Sequence, residues 1–427
     1  MVSFEQALRI IRDRIKESRT TPAVERVALT AARGRVLAED LAADRDYPPF
    51  HRSTRDGFAL HSSDAAKESR ALEVIGLARA GEPYEGSVAE RCAVEIMTGA
   101  PLPQGTDAVV MVEHSREIDE AAAPVDHTAP IRRVEILRTA TPWENVVRRG
   151  SEAAAGGIVL ARGRRLGPGE IGLAASVGKA ELSVFRRPTV AILPTGDEVV
   201  PVDHAPAWFQ IRNSNALALG AQVEATGGVP RLLDIAPDSR AGLRALIEEG
   251  LASDLLLLSG GISVGKYDFV AEVLGELGAQ IHVQGVAIRP GKPLAFGRIH
   301  DKFFFALPGN PVSTFVTFEL FARPALEMLS GGDYQPAVFL KTRLAKPVRQ
   351  RTGLTVFMPA RVTPGCANAP DQGMNSGALS DPVVELVGWQ GSGDLAGLAA
   401  ANCFLVMPPE RTEVAAGDWV DVLPKSW

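Results

Sequence analysis

The chain has 427 residues, of which 46% are hydrophobic and 22% charged, with a formal net charge of −6. That length allows roughly three domains with a core of good size, and the composition is that of a soluble globular protein. The acidic balance argues against a nucleic-acid partner, because a phosphate backbone calls for a basic face; it still leaves room for a local basic pocket.

The three cysteines, Cys92, Cys366 and Cys403, are scattered and form no CxxC pair. Neither a disulfide framework nor a structural zinc site is expected, and they read as free thiols in a reducing compartment. The start, Met1-Val2-Ser3-Phe4-Glu5-Gln6, has neither the basic nor the apolar segment of a signal peptide. No stretch reaches the ~18 apolar residues of a membrane span. A cytoplasmic protein without a membrane partner is expected.

Ser3 with Gln6 forms a capping box, and Phe4, Leu8, Ile11 and Ile15 follow helical spacing, which predicts an amphipathic helix over 4–17. Residues 21–41 read as a short strand and a second helix broken at Gly34. The paired prolines of Tyr47-Pro48-Pro49-Phe50 call for an extended connector. From about 50 to 137, short Val/Ile-rich runs alternate with Gly and Pro turns, the texture of a β domain. Within it the charged, Pro-broken stretch 115–133 reads as an exposed hairpin tip. Residues 138–187 return to mixed structure.

From 189 onward strands and helices alternate. Strands are predicted over 189–193, 254–258 and 303–307. Helices are predicted from near Asn213, over 240–249 with Gly250 as stop, over 269–277 between Asp268 and Gly278, and over 312–329. In the last, Asn310 is the cap and Pro311 the first helical residue. The alternation implies a parallel sheet with right-handed crossovers. Beyond 335 the texture is β again, a small barrel or a sandwich.

The three strands are apolar on both faces, and each ends at a glycine-containing loop. The first loop carries Thr195, Gly196, Asp197 and Glu198, the second Ser259, Gly260, Gly261, Ser263 and Gly265, and the third Asn310, Pro311 and Ser313. They fall at the carboxyl edge of the expected sheet, where open α/β sheets bind ligands. Glycines there let backbone N–H groups approach an oxyanion. The second loop reads equally as an anion cradle and as a tight strand-to-helix turn; it lacks the GK[ST] and GxGxxG patterns of ATP and NAD sites. Arg289-Pro290-Gly291-Lys292-Pro293 sets two cations on a proline-bracketed turn, either a clamp for an oxyanion or a solvated basic turn. The acids are Asp56, Asp197, Glu198, Asp238 and Asp268. Asp238 and Asp268 each have a sufficient explanation as helix caps. Beside an oxyanion, carboxylates would need Mg²⁺ to offset repulsion, with Asp56, Asp238 and Asp268 as candidate ligands. That combination suits phosphoanhydride cleavage.

Seven segments in order now point to one family. They are Asp56-Gly57-Phe58-Ala59, Ile96-Met97-Thr98-Gly99-Ala100-Pro101, Arg148-Arg149-Gly150, Thr195-Gly196-Asp197-Glu198, the Ser259–Gly265 loop, Arg289-Pro290-Gly291-Lys292-Pro293 and Pro308-Gly309-Asn310-Pro311-Val312-Ser313. With them the chain resembles the MoeA family of molybdenum-inserting transferases, whose animal relative is the E domain of gephyrin. The resemblance runs from about residue 3 to the C-terminal strands. It implies a multidomain α/β and β protein. A mixed domain is built from 1–47 and 138–175, a β-rich domain spans 48–137, a central MogA-like α/β domain with a mainly parallel sheet spans 176–330, and a β-barrel-like domain spans 331–427. It implies Mg²⁺-dependent cleavage of adenylylated molybdopterin, coupled to insertion of molybdate-derived molybdenum into the dithiolene, giving molybdenum cofactor and AMP. It also implies a homodimer and an upstream molybdopterin adenylyltransferase as partner. By resemblance Asp56, Glu198, Asp238 and Asp268 are catalytic. Thr98, Arg149, Pro293 and Pro311 bind substrate, and Arg289 and Lys292 form the molybdate turn.

The chain departs from the family at Arg55, where Met is usual, and at Arg289, where Lys is commoner. Pro359 stands where many members carry an Arg. Arg361, two residues on and on the same strand face, is the replacement the pattern offers, and Gln390-Gly391-Ser392-Gly393 agrees with the family. Two other readings remain: a catalytically silent cofactor-binding scaffold, and a nucleotide-processing enzyme such as the competence-type pyridine-nucleotide amidases. The full set of acids disfavours the first, and the Asp-Gly-Phe-Ala and Met-Thr-Gly-Ala-Pro segments disfavour the second. Asp268→Asn is expected to leave folding intact and to slow adenylate cleavage greatly; wild-type turnover of the purified variant would remove that role.

Overall fold

The computed structural model describes residues 1–18, 21–66, 70–118, 132–261, 269–351, 353–365 and 381–425. They form two compact units, Met1–Ala38 with Gly163–Leu166 and Leu182–Trp427, and Glu39–Arg162 with Gly167–Glu181.

The first unit begins with α1 (Phe4–Glu17), closed by the expected box. The Ser3 hydroxyl accepts from Gln6 N at 3.2 Å, and Gln6 Oε1 accepts from Ser3 N at 3.0 Å. Its stripe of Phe4, Ala7, Ile11 and Ile15 is buried. The second helix expected within 21–41 does not form. Strand Val24–Ala28 leads instead into one 3₁₀ turn, Leu29–Ala31. Gly34, at φ +76°, reverses the chain too soon for a nucleated helix to propagate.

The central layer is built from β1 (Thr189–Pro194), α2 (Ser214–Thr226), β2 (Val229–Leu232), α3 (Arg240–Gly250), β3 (Leu255–Ser259), α4 (Phe269–Glu276), β4 (Gln280–Gln284), β5 (Ala295–Ile299), β6 (Lys302–Leu307) and α5 (Pro311–Thr317). The sheet order is β2-β1-β3-β6-β5-β4. The first four strands are parallel, β5 runs antiparallel to β6, and β4 runs antiparallel to β5. Successive side chains enter opposite cores. Val190, Ile192, Leu255, Leu257, Phe303 and Phe305 pack with residues of α1, α2 and α5. Ala191, Leu193, Leu256, Leu258, Phe304 and Ala306 pack with residues of α3 and α4. Burial on both faces is why these strands are unbroken apolar runs.

Three helix ends differ from expectation. Ser239, not Asp238, caps α3, its hydroxyl accepting from Gly242 N at 3.4 Å. Gly250 does not stop α3 but lies within it. A Cβ there would sit 2.7 Å from Leu256 Cδ1, so glycine lets the helix approach β3. Asn310 occupies the cap position of α5, yet its side chain donates to Ser392 Oγ at 3.0 Å and caps nothing. The helical path from α5 continues through a π turn, Phe318–Ala322, to Arg323–Leu329.

The C-terminal strands close into a barrel. Thr355–Thr363 pairs with both Val383–Leu386 and Cys403–Met407. Trp419–Pro424 pairs with Cys403–Met407 and with Leu340–Leu344, and Leu340–Leu344 returns to Val383–Leu386. The short strand Ile288–Arg289 joins the barrel edge, Ile288 opposite Thr355.

The second unit holds a six-stranded sheet in the order Ala108–Met111, Gly57–Leu60, Cys92–Ile96, Arg70–Ala78, Arg133–Ile136, Ser115–Ile118. Phe58 and Leu60 enter one core and Ala59 another. The stretch 115–133, expected as a hairpin tip, is strand at both ends, since Ser115–Ile118 and Arg133–Ile136 pair antiparallel; residues 119–131 lie outside the described residues. Among the described residues, no helix is long and apolar enough to cross a membrane.

Phe305 is fully buried, its ring 4.8 Å from that of Phe296. Phe305→Ala is expected to destabilise the central layer by about 3–5 kcal/mol in urea unfolding.

Candidate functional site

From β1 the chain moves to β2 on one side, then returns through α3 to β3 on the other. The carboxyl ends of β1 and β3 therefore flank a topological switch point, where the crossovers diverge and leave a crevice. Pro194, Ser259 and Leu307 lie in one row of the sheet there. A cavity of about 550 Å³ opens above them. Thr195, Gly196 and Glu198 reach it from the first turn, Ser259, Gly260 and Gly261 from the second, and Pro308–Pro311 from the third. Asn213, Ser214 and Asn215 at the start of α2, with Asp238 and Pro293, complete much of the wall.

Backbone hydrogen bonds join the turns. Thr195 N donates to Ser259 O, and Gly260 N to Leu307 O, each at 3.1 Å. Asn215 Nδ2 donates to Ser259 Oγ at 3.1 Å and to Gly309 O at 2.7 Å. Asn215 thus ties α2 to the second and third turns. Sequence reasoning missed this role; the only signal was its place in Asn213-Ser214-Asn215, whose first member caps α2 through Ala216 N. Gly260 (φ +106°) and Gly196 (φ +128°) occupy backbone that other residues rarely adopt. A Cβ on Gly260 would stand 2.8 Å from Thr195 O. The Thr195 hydroxyl is buried on this wall with no hydrogen-bond partner among the described residues.

The acids divide. Glu198 and Asp238 line the cavity. Asp197 lines a neighbouring one, and its Oδ1 accepts from Asp238 N at 2.9 Å. Asp197 therefore positions the Asp238 backbone.

Arg289, Lys292 and Ser313 line a further cavity of about 570 Å³, together with Trp389, Gln390, Gly391 and Ser392. Pro293 and Asn310 belong to both this cavity and the switch-point cavity, so the two share a wall. Asn310 Nδ2 to Ser392 Oγ (3.0 Å) and Val312 N to Ser392 O (2.9 Å) pin the Gln390–Gly393 loop against it. Arg361 instead donates to Ala400 O at 2.6 Å.

In the second unit the Asp56 carboxylate accepts from Thr98 N at 2.7 Å and Thr98 Oγ1 at 2.9 Å. The backbone bond first, then the hydroxyl, hold its pKa below the usual carboxylate value. Arg149 Nε pairs with Asp46 Oδ2 at 2.8 Å. Ser263, Gly265 and Asp268 lie outside the described residues. Among the described residues no three His, Cys, Asp or Glu side chains converge into a ready metal cage. Gly260→Ala is expected to lower folding stability by about 1–3 kcal/mol, read from the urea midpoint, because the backbone conformation resists a Cβ.

Residues 2–178 match the MoeA N-terminal region (domain I and II), residues 191–328 the probable molybdopterin binding domain, and residues 341–425 the MoeA C-terminal region (domain IV). The chain is 33% identical over 427 residues to the molybdopterin molybdenumtransferase of Haemophilus influenzae, covering 99% of this chain and 98% of that one. It is 33% identical over 404 residues to that of Bacillus subtilis, covering 93% and 89%. The crystal structure of the molybdopterin biosynthesis moeA protein from Pyrococcus horikoshii OT3 matches over the whole of both chains, with a TM-score of 0.75 at 26% identity. Three consecutive regions, full-length relatives and a shared fold agree: the chain belongs to the MoeA family.

Proposed function

We propose that this chain is a molybdopterin molybdenumtransferase that uses adenylylated molybdopterin and molybdate. One observation carries the reading: a cavity walled by stapled amide turns and two carboxylates shares Pro293 and Asn310 with a second cavity bearing two cations. On this reading the Gly196, Gly260 and Gly261 turns and the Thr195 hydroxyl bind the phosphate-bearing part of the substrate. Glu198 and Asp238 offer Mg²⁺ two carboxylates. That suffices for an ion which takes one or two carboxylates and completes its shell with phosphate oxygens and water. When bound, Mg²⁺ offsets the charge of the phosphates during cleavage. Arg289 and Lys292 hold molybdate by charge-assisted hydrogen bonds, and the shared wall fixes the two reactants near each other.

The substrate's own sulfurs take the metal, so no protein thiolate is needed. Burial pushes the Cys403 thiol up to about 11, which keeps it protonated. Asp56, Thr98, Arg149, Ser263, Gly265 and Asp268 belong to the proposed site on the resemblance alone, as do the four-domain division, the homodimer and the upstream adenylyltransferase.

The test is turnover of adenylylated molybdopterin by the purified chain with Mg²⁺. AMP release that requires molybdate is expected; no release, or release indifferent to molybdate, overturns the proposal. Lys292→Ala is expected to raise the molybdate concentration for half-maximal rate about tenfold, the cost of one lost charge-assisted bond. An unchanged molybdate dependence would count against the cation turn.

A further inference from the structure

A turn in the first unit carries two side chains that turns seldom place at their tips. Gln210 N donates to Ala207 O at 3.0 Å, and Ala207 N to Gln210 Oε1 at 3.0 Å. Trp208 and Phe209 are thus the central pair of a hydrogen-bonded four-residue turn. Pro, Asn, Asp, Gly and Ser dominate such positions, because each favours the bend or caps it. Trp208 is 96% exposed and Phe209 59%. Their rings meet edge-to-face with centroids 5.6 Å apart. An indole this exposed contributes almost nothing to the core.

The turn is held by residues that line the switch-point cavity. Val199–Val200 and Ile211–Arg212 pair in a short parallel ladder. Ile211 N donates to Glu198 O at 2.8 Å, and Arg212 Nε to His204 O at 3.2 Å. Glu198, Val199, Ile211 and Arg212 are themselves wall residues. Only Gln210 separates the aromatic pair from that wall in sequence. The described lining of the cavity includes no aromatic side chain. The substrate of the proposed reaction carries two fused-ring heterocycles, a purine and a reduced pterin, and neither has an aromatic stacking partner on that lining.

We infer that Trp208, braced edge-on by Phe209, is a stacking platform for a fused heteroaromatic ring of the substrate at the rim of the switch-point cavity. The inference rests on the function proposed above and assigns one specific contact within it. Trp208 acts as a substrate-positioning residue: its face adds affinity for flat rings of either kind, as aromatic platforms do for nucleobases.

The test uses the full-length chain, its Trp208→Ala and Trp208→Phe variants, and three probes: AMP, the 6-substituted pterin neopterin, and ring-free pyrophosphate. Trp208→Ala is expected to weaken AMP or neopterin about five- to thirty-fold, while Trp208→Phe stays within about threefold and pyrophosphate binding is unchanged in both. Whichever ring is weakened is the one that stacks. Wild-type minus Trp208→Phe fluorescence isolates Trp208 from the other four tryptophans, and the stacked ring is expected to shield it from acrylamide.

Wild-type affinity of Trp208→Ala for both rings, or undiminished acrylamide access at saturating ligand, overturns the inference. Loss of self-association by Trp208→Ala, with ring affinity intact, also overturns it and assigns the pair to a contact between copies. If the wild-type chain also shows molybdate-dependent AMP release, the functional reading survives that failure. A wild-type chain that binds neither ring and releases no AMP overturns both.

Discussion

Pro194, Ser259 and Leu307 lie side by side at the ends of three parallel strands, and the site depends on that row. The strands are covered by helices on both faces, so their side chains interlock with two cores at once. Both cores are apolar, and polarity alone does not set the register. Volume contributes: Ala191 and Ala306 face α3 and α4, whereas Phe303 and Phe305 face the other layer. A one-residue slip would exchange these sizes across the sheet, in an interior that tolerates little change in shape. The row brings three glycine-bearing turns level at the sheet edge.

Level turns alone do not make a site; short polar links hold their shape. Asn215 joins α2 to two of them, and Asp197 holds the backbone of Asp238. The left-handed glycines permit approaches that a Cβ would block. The two cations need a different support. Their turn follows Ile288–Arg289, which pairs with the barrel strand at Thr355–Val356. Asn310 and Ser392 link the start of α5 to the loop that follows the barrel strand Val383–Leu386. Within this unit the barrel anchors the Arg289–Pro293 turn and the parallel sheet positions the three glycine-bearing turns.

Features that depend on near neighbours were legible in the residues. The Ser3–Gln6 box and the spacing of Phe4, Ile11 and Ile15 specify α1. The apolar runs at 190–193, 255–258 and 303–307 specify two-sided burial, and the turns after them mark the cavity. Thr195, Gly196, Glu198, Ser259, Gly260 and Asn310 were identifiable for that reason. Where two neighbours compete for one local role, the residues alone do not choose between them. Ser239 took the cap that Asp238 also fits, and Asp238 was left on the cavity wall.

By itself the sequence determined the periodicities, the alternation of strands and helices, and the chemical character of each turn, because these follow from side-chain spacing and backbone preference over a few residues. Only the tertiary structure decided that the last strands close as a barrel, since Thr355–Thr363 must find two partners remote in the chain. It also decided that Asn310 bonds Ser392, 82 positions away, instead of capping its helix. Each of these outcomes rests on pairing between distant segments, where the free energy of packing selects the partner and local propensity has no vote.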